Sequence, residues 1–566
     1  MVKMASKQKR KDSINLISVI AVVIMINVIG AYIFIRFDLT SEKRYTLNKK
    51  TIDLLKNLDG SVYIKVYLEG DFNPAFTRLQ TETKEILDEF RAYAKKDFNY
   101  EFINIYAEKN KAELENLQRD LYKKGIIPTE LNIKSESGNK SQIIFPGAIV
   151  IFNGRETAWQ IFKQQVGIPP EVCVNNSVSG LEYELTNAIR KLQRVVKPRI
   201  AFIQGHGELD TLQTADIYSA LSEYYDIDYV TINHRLKALK PYRAIIVAKP
   251  DSAIDEKDKF IIDQFIMRGG RALFCIDQVY TNVDTLRTKG YTLGLATNKN
   301  YDDLLFTYGV RINTNLLNDY TCTSIPINRG FKGAPDFQMA PWYYNPLALP
   351  TINHPIVKNL DLIKFEFVSN MDTISTKNIK KTILLTSSKN TRIQNTPARI
   401  SLATAMMKPK DELFKKGQQT IAVLLEGKFN SLYQNRIPIT ISSDSAIGFV
   451  DKSSPAAIIV ISDGDVIRND IQYATLTPSP LGYDKYMKKT FANKTFVLNC
   501  VNYLCDGADF LNLRSRDIQL RTLDRKKIKN ESGKWKVINV VVPIASIVVL
   551  GIVLIRLRKR KYTSKY

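Results

Sequence analysis

Two uncharged apolar runs stand near the ends of this chain, and between them short alternating and helical patterns of hydrophobic residues follow one another. Ile14 to Ile35 (INLISVIAVVIMINVIGAYIFI) holds 22 residues without a charge. At about 1.5 Å per residue such a helix crosses a hydrocarbon layer of about 30 Å. The core of a cleaved signal peptide is shorter, about 7–15 residues, and ends at an A-x-A-like site that is missing here, so the run predicts a retained anchor. Val537 to Ile555 (VINVVVPIASIVVLGIVLI) gives 19 more uncharged residues, and its Pro543 and Gly551 are compatible with a membrane helix.

The segment between the runs alternates helix and strand. A short helix from Leu47 to Leu58 is expected with Asn48 as its cap, then a strand from Val62 to Leu68, rich in β-branched and aromatic residues. Phe76, Leu79, Ile86, Leu87, Phe90 and Tyr93 share one helical face. A strand over Tyr100 to Tyr106 and a charged helix over 107–124 follow. Asn153-Gly154 between two apolar runs predicts a type I′ hairpin. Ser179-Gly-Leu-Glu182 reads as a capping box opening a helix that ends before Pro198. From Ile200 the order is strand, turn (Gly205-His206-Gly207-Glu208), helix 212–225, strand Ile227 to Ile232, strand Ala244 to Ala248, helix 256–267 closed by Gly269-Gly270, and strand Arg271 to Ile276. That order predicts a doubly wound parallel sheet. Residues 280–375 carry six prolines at 326, 335, 341, 346, 350 and 355 with little periodicity, so an irregular insertion is expected there. The sheet pattern resumes at Thr382 to Thr386 and at Ala456 to Ser462, and Phe491 to Leu504 closes the domain as a helix.

Charge decides topology more than partner. The net charge is +24, but residues 1–12 (five bases, one acid) and 556–566 (six bases) hold +10 of it. The rest is scattered among acids, except for Arg525, Lys526, Lys527, Lys529, Lys534 and Lys536 beside the second apolar run, which suit a headgroup-facing linker. No basic stripe interleaved with aromatics marks a nucleic-acid groove, so no nucleic acid is expected as a partner. Two crossings place both termini on one side, and their basic residues assign that side to the cytoplasm. The five cysteines are odd in number and form no CxxC, so neither a disulfide framework nor a zinc knuckle is expected.

Six stretches carry a resemblance: FDLTSEKRYTLNKKT (37–51), VYLEGDFNPAFTRLQ (66–80), NNSVSGLEYELTNAIRKL (175–192), IAFIQGHGELD (200–210), DQFIMRGGRALFCID (263–277) and VISDGDVIRN (460–469). Together they resemble the GldG family, the gliding-motility-associated ABC transporter components. The resemblance implies a substrate-binding-like accessory subunit that works with a permease-like membrane subunit and a cytoplasmic ATPase in gliding motility. It also implies an extracytoplasmic body with a glutamine-amidotransferase-like α/β domain. The expected architecture is an inner-membrane α/β protein with a cytoplasmic N-terminus (1–13), transmembrane helix (14–35), first periplasmic α/β domain (36–175), amidotransferase-like domain (176–510, insertion 280–375), basic linker (511–536), second transmembrane helix (537–555) and cytoplasmic tail (556–566).

The sharpest local chemistry is Gly205-His206-Gly207-Glu208, at a strand's carboxyl end where open α/β sheets place ligands. These four residues are the candidate ligand or partner contact, and a pocket there would make the protein a solute-binding module. His234 and His354 have no metal partners near them in sequence. An amidotransferase needs a cysteine nucleophile on a sharp elbow with a histidine base. Cys275, within ALFCID and with no glycine after it, does not fit that role. No Walker A sequence is present, so ATP hydrolysis is expected from another chain. Asp463-Gly464-Asp465 is read as a structural turn at the sheet edge, because two carboxylates fall short of a calcium site. No enzyme activity, cofactor or metal is expected. DFNPAF and FDLTSEKRYTL are read as docking elements, and membrane lipid as a further partner.

Overall fold

In the computed structural model, the residues described are 13–25, 46–94, 98–107, 110–135, 138–164, 170–193, 196–330, 334–348, 350, 352–358, 360–406, 411–472, 475–507 and 525–563. The chain divides into two units, residues 1–516 and 517–566. The second unit is one long helix, Arg525–Thr563, bent where Glu531 leaves helical geometry (φ −115°, ψ 15°). Within Glu531–Arg560 an 18-residue window has a mean hydropathy of 2.8 with none of it buried, so the helix is long and apolar enough to cross a membrane. Within the expected linker 511–536, residues 525–530 are helical as well, on the far side of the bend at Glu531. Of the first apolar run, Ser13–Met25 is an exposed helix, and 26–35 lie outside the described residues, as does most of FDLTSEKRYTL.

Between them, the first sheet has the order Phe98–Phe102, Val62–Val66, Gly147–Phe152, Arg155–Gln160. Its first pair is parallel, joined by the helix Pro74–Ala94, and the others are antiparallel. Asn153 (φ 47°) and Gly154 (φ 78°) form the expected hairpin turn. Asn48 caps the helix Lys49–Lys56 by accepting from the Lys50 N–H. In DFNPAF, Asn73 accepts the Phe76 N–H at 3.1 Å and Pro74 takes the first helical position, where its missing N–H costs nothing. That segment starts a helix, which its reading as a docking loop did not include.

The helix read as opening at Ser179 begins instead at Pro170 and runs to Gln193. Cys173, Val174 and Val178 extend its buried stripe upstream, Pro170 suits its first turn, and the Ser179 hydroxyl bonds back to Asn176 O at 2.8 Å. Glu182, expected to cap, is buried and accepts from Asn48 N (2.6 Å) and Thr51 Oγ1 (2.9 Å). The helix thus runs through the expected boundary at 175/176. On its other side Tyr183 enters the core of the second sheet, and Arg190 pairs with Asp506 at 3.0 Å.

The second sheet places five strands in parallel, in the order Asp226–Thr231, Arg199–Gln204, Ala244–Ala248, Arg271–Cys275, Ala456–Ile461. Thr420–Gly427, which its sequence did not announce, joins antiparallel to Ala456–Ile461. Beyond it lie Ile379–Thr386 and the short strands Met371–Thr373 and Val310–Ile312, all antiparallel to their neighbours. The sheet is therefore mixed, where a doubly wound parallel one was expected. Its central strands are buried on both faces. Ile200, Phe202, Ala244, Ile246, Leu273, Cys275, Leu424 and Ile459 enter one core. Their neighbours Ala201, Ile203, Ile245, Val247, Ala272, Phe274, Val423 and Val460 enter another. The helices Ala215–Ser222 and Asn493–Asp506 cover the first face, and Glu256–Met267 and Asp302–Tyr308 the second. Strands covered by helices on both faces read as continuous apolar runs, which explains AIIVA and AAIIVI.

The segment 280–375 is not irregular. It contributes antiparallel strands to three small sheets, pairing Cys322–Asn328 with Phe337–Ala348, Tyr291–Ala296 with Ala398–Ser401, and Asn315–Asp319 with Thr391–Asn395. Pro326, Pro341 and Pro346 lie inside strands, and the first of these pairings slips register between Cys322 and Ser324. Such irregular ladders accommodate residues without an N–H. Two partner strands come from beyond residue 375, which hides the pattern from a local reading.

Ile459 is fully buried in the central strand Ala456–Ile461. Truncation by Ile459→Ala is expected to lower unfolding stability by about 2–5 kcal/mol, read as a lower urea midpoint at unchanged slope.

Candidate functional site at the carboxyl ends of the parallel strands

Four parallel strands end side by side at Gln204, Ala248, Cys275 and Ile461, and the residues just past these ends form two charged clusters. In the first, Lys249 Nζ lies 3.1 Å from Asp277 Oδ2 and 2.5 Å from Asp465 Oδ2. Arg468 Nε reaches the other oxygen of Asp465 at 2.9 Å, and its guanidinium also approaches Glu366. Lys364 Nζ then bridges Glu366 (2.9 Å) and Asp484 (3.1 Å).

Backbone donors complete this network. Asp463 accepts from Glu366 N (2.7 Å) and Asp465 N (2.6 Å), and Asp277 accepts from Gly464 N (2.5 Å). Gly464 is required by close approach, since a Cβ there would stand 2.5 Å from Lys249 Cβ. The Asp463-Gly464-Asp465 turn stands at the end of a central strand rather than at the sheet edge, and its carboxylates belong to a buried ion network. Burial raises the Asp463 pKa well above the ordinary carboxylate range, and Asp277 and Asp465 add to the effect. Burial likewise raises Asp277, with Lys249 opposing. Burial disfavours the Lys249 ammonium, but Asp277 and Asp465 outweigh it and its pKa is raised. For Glu366, burial is outweighed by Lys364 and Arg468, which hold the carboxyl at about 2. The cavity beside Lys364, Glu366, Arg468 and Tyr483 measures about 20 Å³, room for a single water.

The second cluster is the Gly205–Glu208 turn. Gly205 (φ 118°) and Gly207 (φ 74°) take conformations that glycine allows, and His206 and Glu208 are buried. Glu208 accepts from His206 N at 2.7 Å and pairs with His206 Nδ1 at 3.2 Å, while His206 O accepts from Asp251 N and Ser252 N. His206 Nε2 faces Asp258 Oδ2 at 3.5 Å. Asp258 lies in the first turn of the helix Glu256–Met267, which Asp255 caps. The bond to Glu208 raises the His206 pKa, against the opposing effect of burial. His234, which its sequence left without partners, has Nδ1 3.4 Å from Asp255 and 3.3 Å from Asp258. His354 packs on the Tyr503 ring and accepts the Ile356 N–H.

The four residues singled out in sequence are therefore together, but they fill the strand end with their own hydrogen bonds. Sequence reasoning missed Lys249, Asp277 and Glu366, which follow three separate strands, and Asp255 and Asp258, which open the helix Glu256–Met267. The ion-pair partners of His206 among the described residues are carboxylates. Cys275 points into the core, where burial raises its thiol pKa well above the usual value.

A three-layer α/β body with its strand ends closed by ion pairs, in a chain that also carries a long exposed apolar helix, defines the class as a membrane-associated α/β protein. The chain belongs to the family described as ABC-type uncharacterized transport system, which matches residues 197–500, from just before the strand Arg199–Gln204 into the closing helix. Residues 41–151, holding the first sheet up to Ile151, match a domain of unknown function, DUF7088. An uncharacterized protein of Borreliella burgdorferi is 21% identical over 568 residues, covering 98% of this chain and 99% of the relative. The mmIFT52 N-terminal domain aligns over 57% of this chain and 100% of its own length at 13% identity, with a TM-score of 0.29 that supports no argument. Membership of a transport-system auxiliary family implies association with transporter components.

Lys249 is the cation between two carboxylates. Lys249→Met is expected to cost about 3–5 kcal/mol in unfolding free energy at pH 7, because it leaves buried charge unpaired. The depressed Glu366 pKa gives a contribution that is fully present above pH 4.5, the ordinary value, and is lost as pH falls through about 2. Glu366→Gln is therefore expected to flatten the acid limb of the stability curve between those pH values. The raised Asp277 and Asp463 act in the opposite sense and are common to both proteins, so the difference between the two curves reports Glu366 together with its upward push on Asp470.

Proposed function

We propose that this protein is a non-catalytic accessory subunit of an ABC-type transporter, acting by coupling or scaffolding. The reading rests on one observation above all: the family match spans the whole second sheet, and within that match the strand ends are locked by ion pairs around a cavity of about 20 Å³. A site that must admit substrate needs an open concavity of about 300 Å³ or more, which the ion-paired strand ends do not offer. The concavity of about 360 Å³ beside Leu239, Arg243, Phe265 and Gly270 lies at the amino ends of the strands instead. A rigid edge that presents fixed charge suits a subunit that transmits position. In this reading helices at 14–35 and 537–555 anchor the chain. The α/β body between them lies on the extracytoplasmic side, against a permease-like subunit, while a cytoplasmic ATPase supplies the energy. The resemblance to gliding-motility components gives the proposed physiological setting.

The test is purification of the full chain from its native membrane in mild detergent. A permease-like membrane protein and an ATPase are expected to copurify in fixed ratio, and protease added to spheroplasts is expected to cut the body while sparing both termini. Recovery of the chain alone, without a membrane partner, would overturn the subunit reading. An untouched body with digested termini would overturn the orientation.

A further inference from the structure

The two charged clusters differ in one respect. The carboxylates around Asp465 have Lys249 and Arg468 as cations, whereas the salt bridges made by Glu208, Asp255 and Asp258 among the described residues are to histidines. One ligand atom from each of His206, Asp255 and Asp258 lies within 4.8 Å of the others. We propose that these three residues bind a divalent transition-metal cation of the zinc type, at the carboxyl end of the strand Arg199–Gln204.

Three features of the surroundings support a cation there. The first is the pairing of acceptors. With His206 Nδ1–H donating to Glu208 Oε1, the tautomer that this carboxylate favours, the Nε2 lone pair is directed toward Asp258 Oδ2, 3.5 Å away. Two acceptors facing each other require a positive species between them, either a proton or a metal ion. Ligand atoms about 2.0–2.1 Å from a tetrahedral zinc stand about 3.3–3.4 Å apart, close to this separation.

The second is the outer support. A carboxylate bonded to the far nitrogen of a metal-ligating imidazole fixes its tautomer and orientation, and Glu208 does this while its other oxygen holds the His206 N–H at 2.7 Å. Asp258 is held in the same way, its Oδ1 accepting the His234 N–H at 2.7 Å and leaving Oδ2 toward His206.

The third is independent of the cluster itself. The Tyr301 hydroxyl is fully buried and has no hydrogen-bond partner among the described residues, and Glu208 and Asp258 are the charges that act on it. A buried hydroxyl without a partner costs about 1–3 kcal/mol. A water completing the coordination of a metal at His206, Asp255 and Asp258 would supply the missing partner. Asp255 is nearly half exposed, which gives an ion a path in from solvent.

The experiment uses the full chain in detergent, stripped with a chelator and titrated with Co²⁺, followed by displacement with Zn²⁺. Saturation at one equivalent with visible tetrahedral absorption bands is expected. Asp255→Asn keeps the helix cap, because asparagine accepts the same backbone N–H groups, but removes one ligand charge. It is expected to weaken binding at least roughly tenfold, and His206→Gln to abolish it, while His354→Gln leaves it unchanged. Tyr301→Phe is expected to shift the Co²⁺ bands without unfolding the protein. Failure to saturate at one equivalent means that a proton occupies the position and overturns the proposal. So does full affinity in Asp255→Asn, which remains decisive if His206→Gln does not fold.

Discussion

Strands that run parallel and are buried on both faces must leave the sheet at a common edge, and each arrives there with backbone groups and polar side chains that cannot follow it into an apolar core. Much of the second domain answers to that constraint. At this edge Lys249 draws together the ends of three strands, because Asp277 and Asp465 stand just past two of them and the lysine just past the third. The helices on either face supply the cover that lets AIIVA, RALFC and AAIIVI remain dry. Without a cation at that point, the Asp277 and Asp465 carboxylates would repel one another in a medium that screens them poorly.

Enzymes that share three-layer architecture often use this edge differently. In those, the strand-end edge opens and holds a nucleophile or a cofactor phosphate. Here cations from Lys249, Arg468 and Lys364 occupy it, and the one cysteine at the end of a parallel strand faces the core. Buried ion pairs are weak contributors to net stability and are costly to break, so they favour a fixed geometry over a tight fold. A fixed edge is consistent with an auxiliary role in a transport system, the role of the family to which residues 197–500 belong.

How much of this was legible depended on whether the signal was local. Asn48 as a cap, Asn153-Gly154 as a hairpin, and the strand–helix succession from Ile200 to Ile276 are set by neighbours in sequence and were read correctly. The helix from Pro170 was cut short because Ser179 and Glu182 imitate a capping box, while Glu182 answers to Thr51, 131 residues away. Prolines in the 280–375 segment read as loop signals, yet Pro326, Pro341 and Pro346 lie in two strands that pair with each other, while the proline-free strands Tyr291–Ala296 and Asn315–Asp319 find partners beyond residue 375. The candidate site split in the same way. The glycines flanking His206 mark a tight turn in any sequence, whereas Asp258, Lys249 and Asp277 acquire meaning only when the sheet aligns their strand ends.

The helix Pro170–Gln193 serves two masters. Along its length Ser177 and Glu182 face the first sheet's elements, and Tyr183, Asn187 and Arg190 face the second's. Each residue advances a helix by about 100°, so deleting one from the middle would swing one set of contacts a quarter-turn out of phase with the other. The rod is thus intolerant of changed length. That makes it the point in the chain where the spacing of the two sheets is measured out in whole turns.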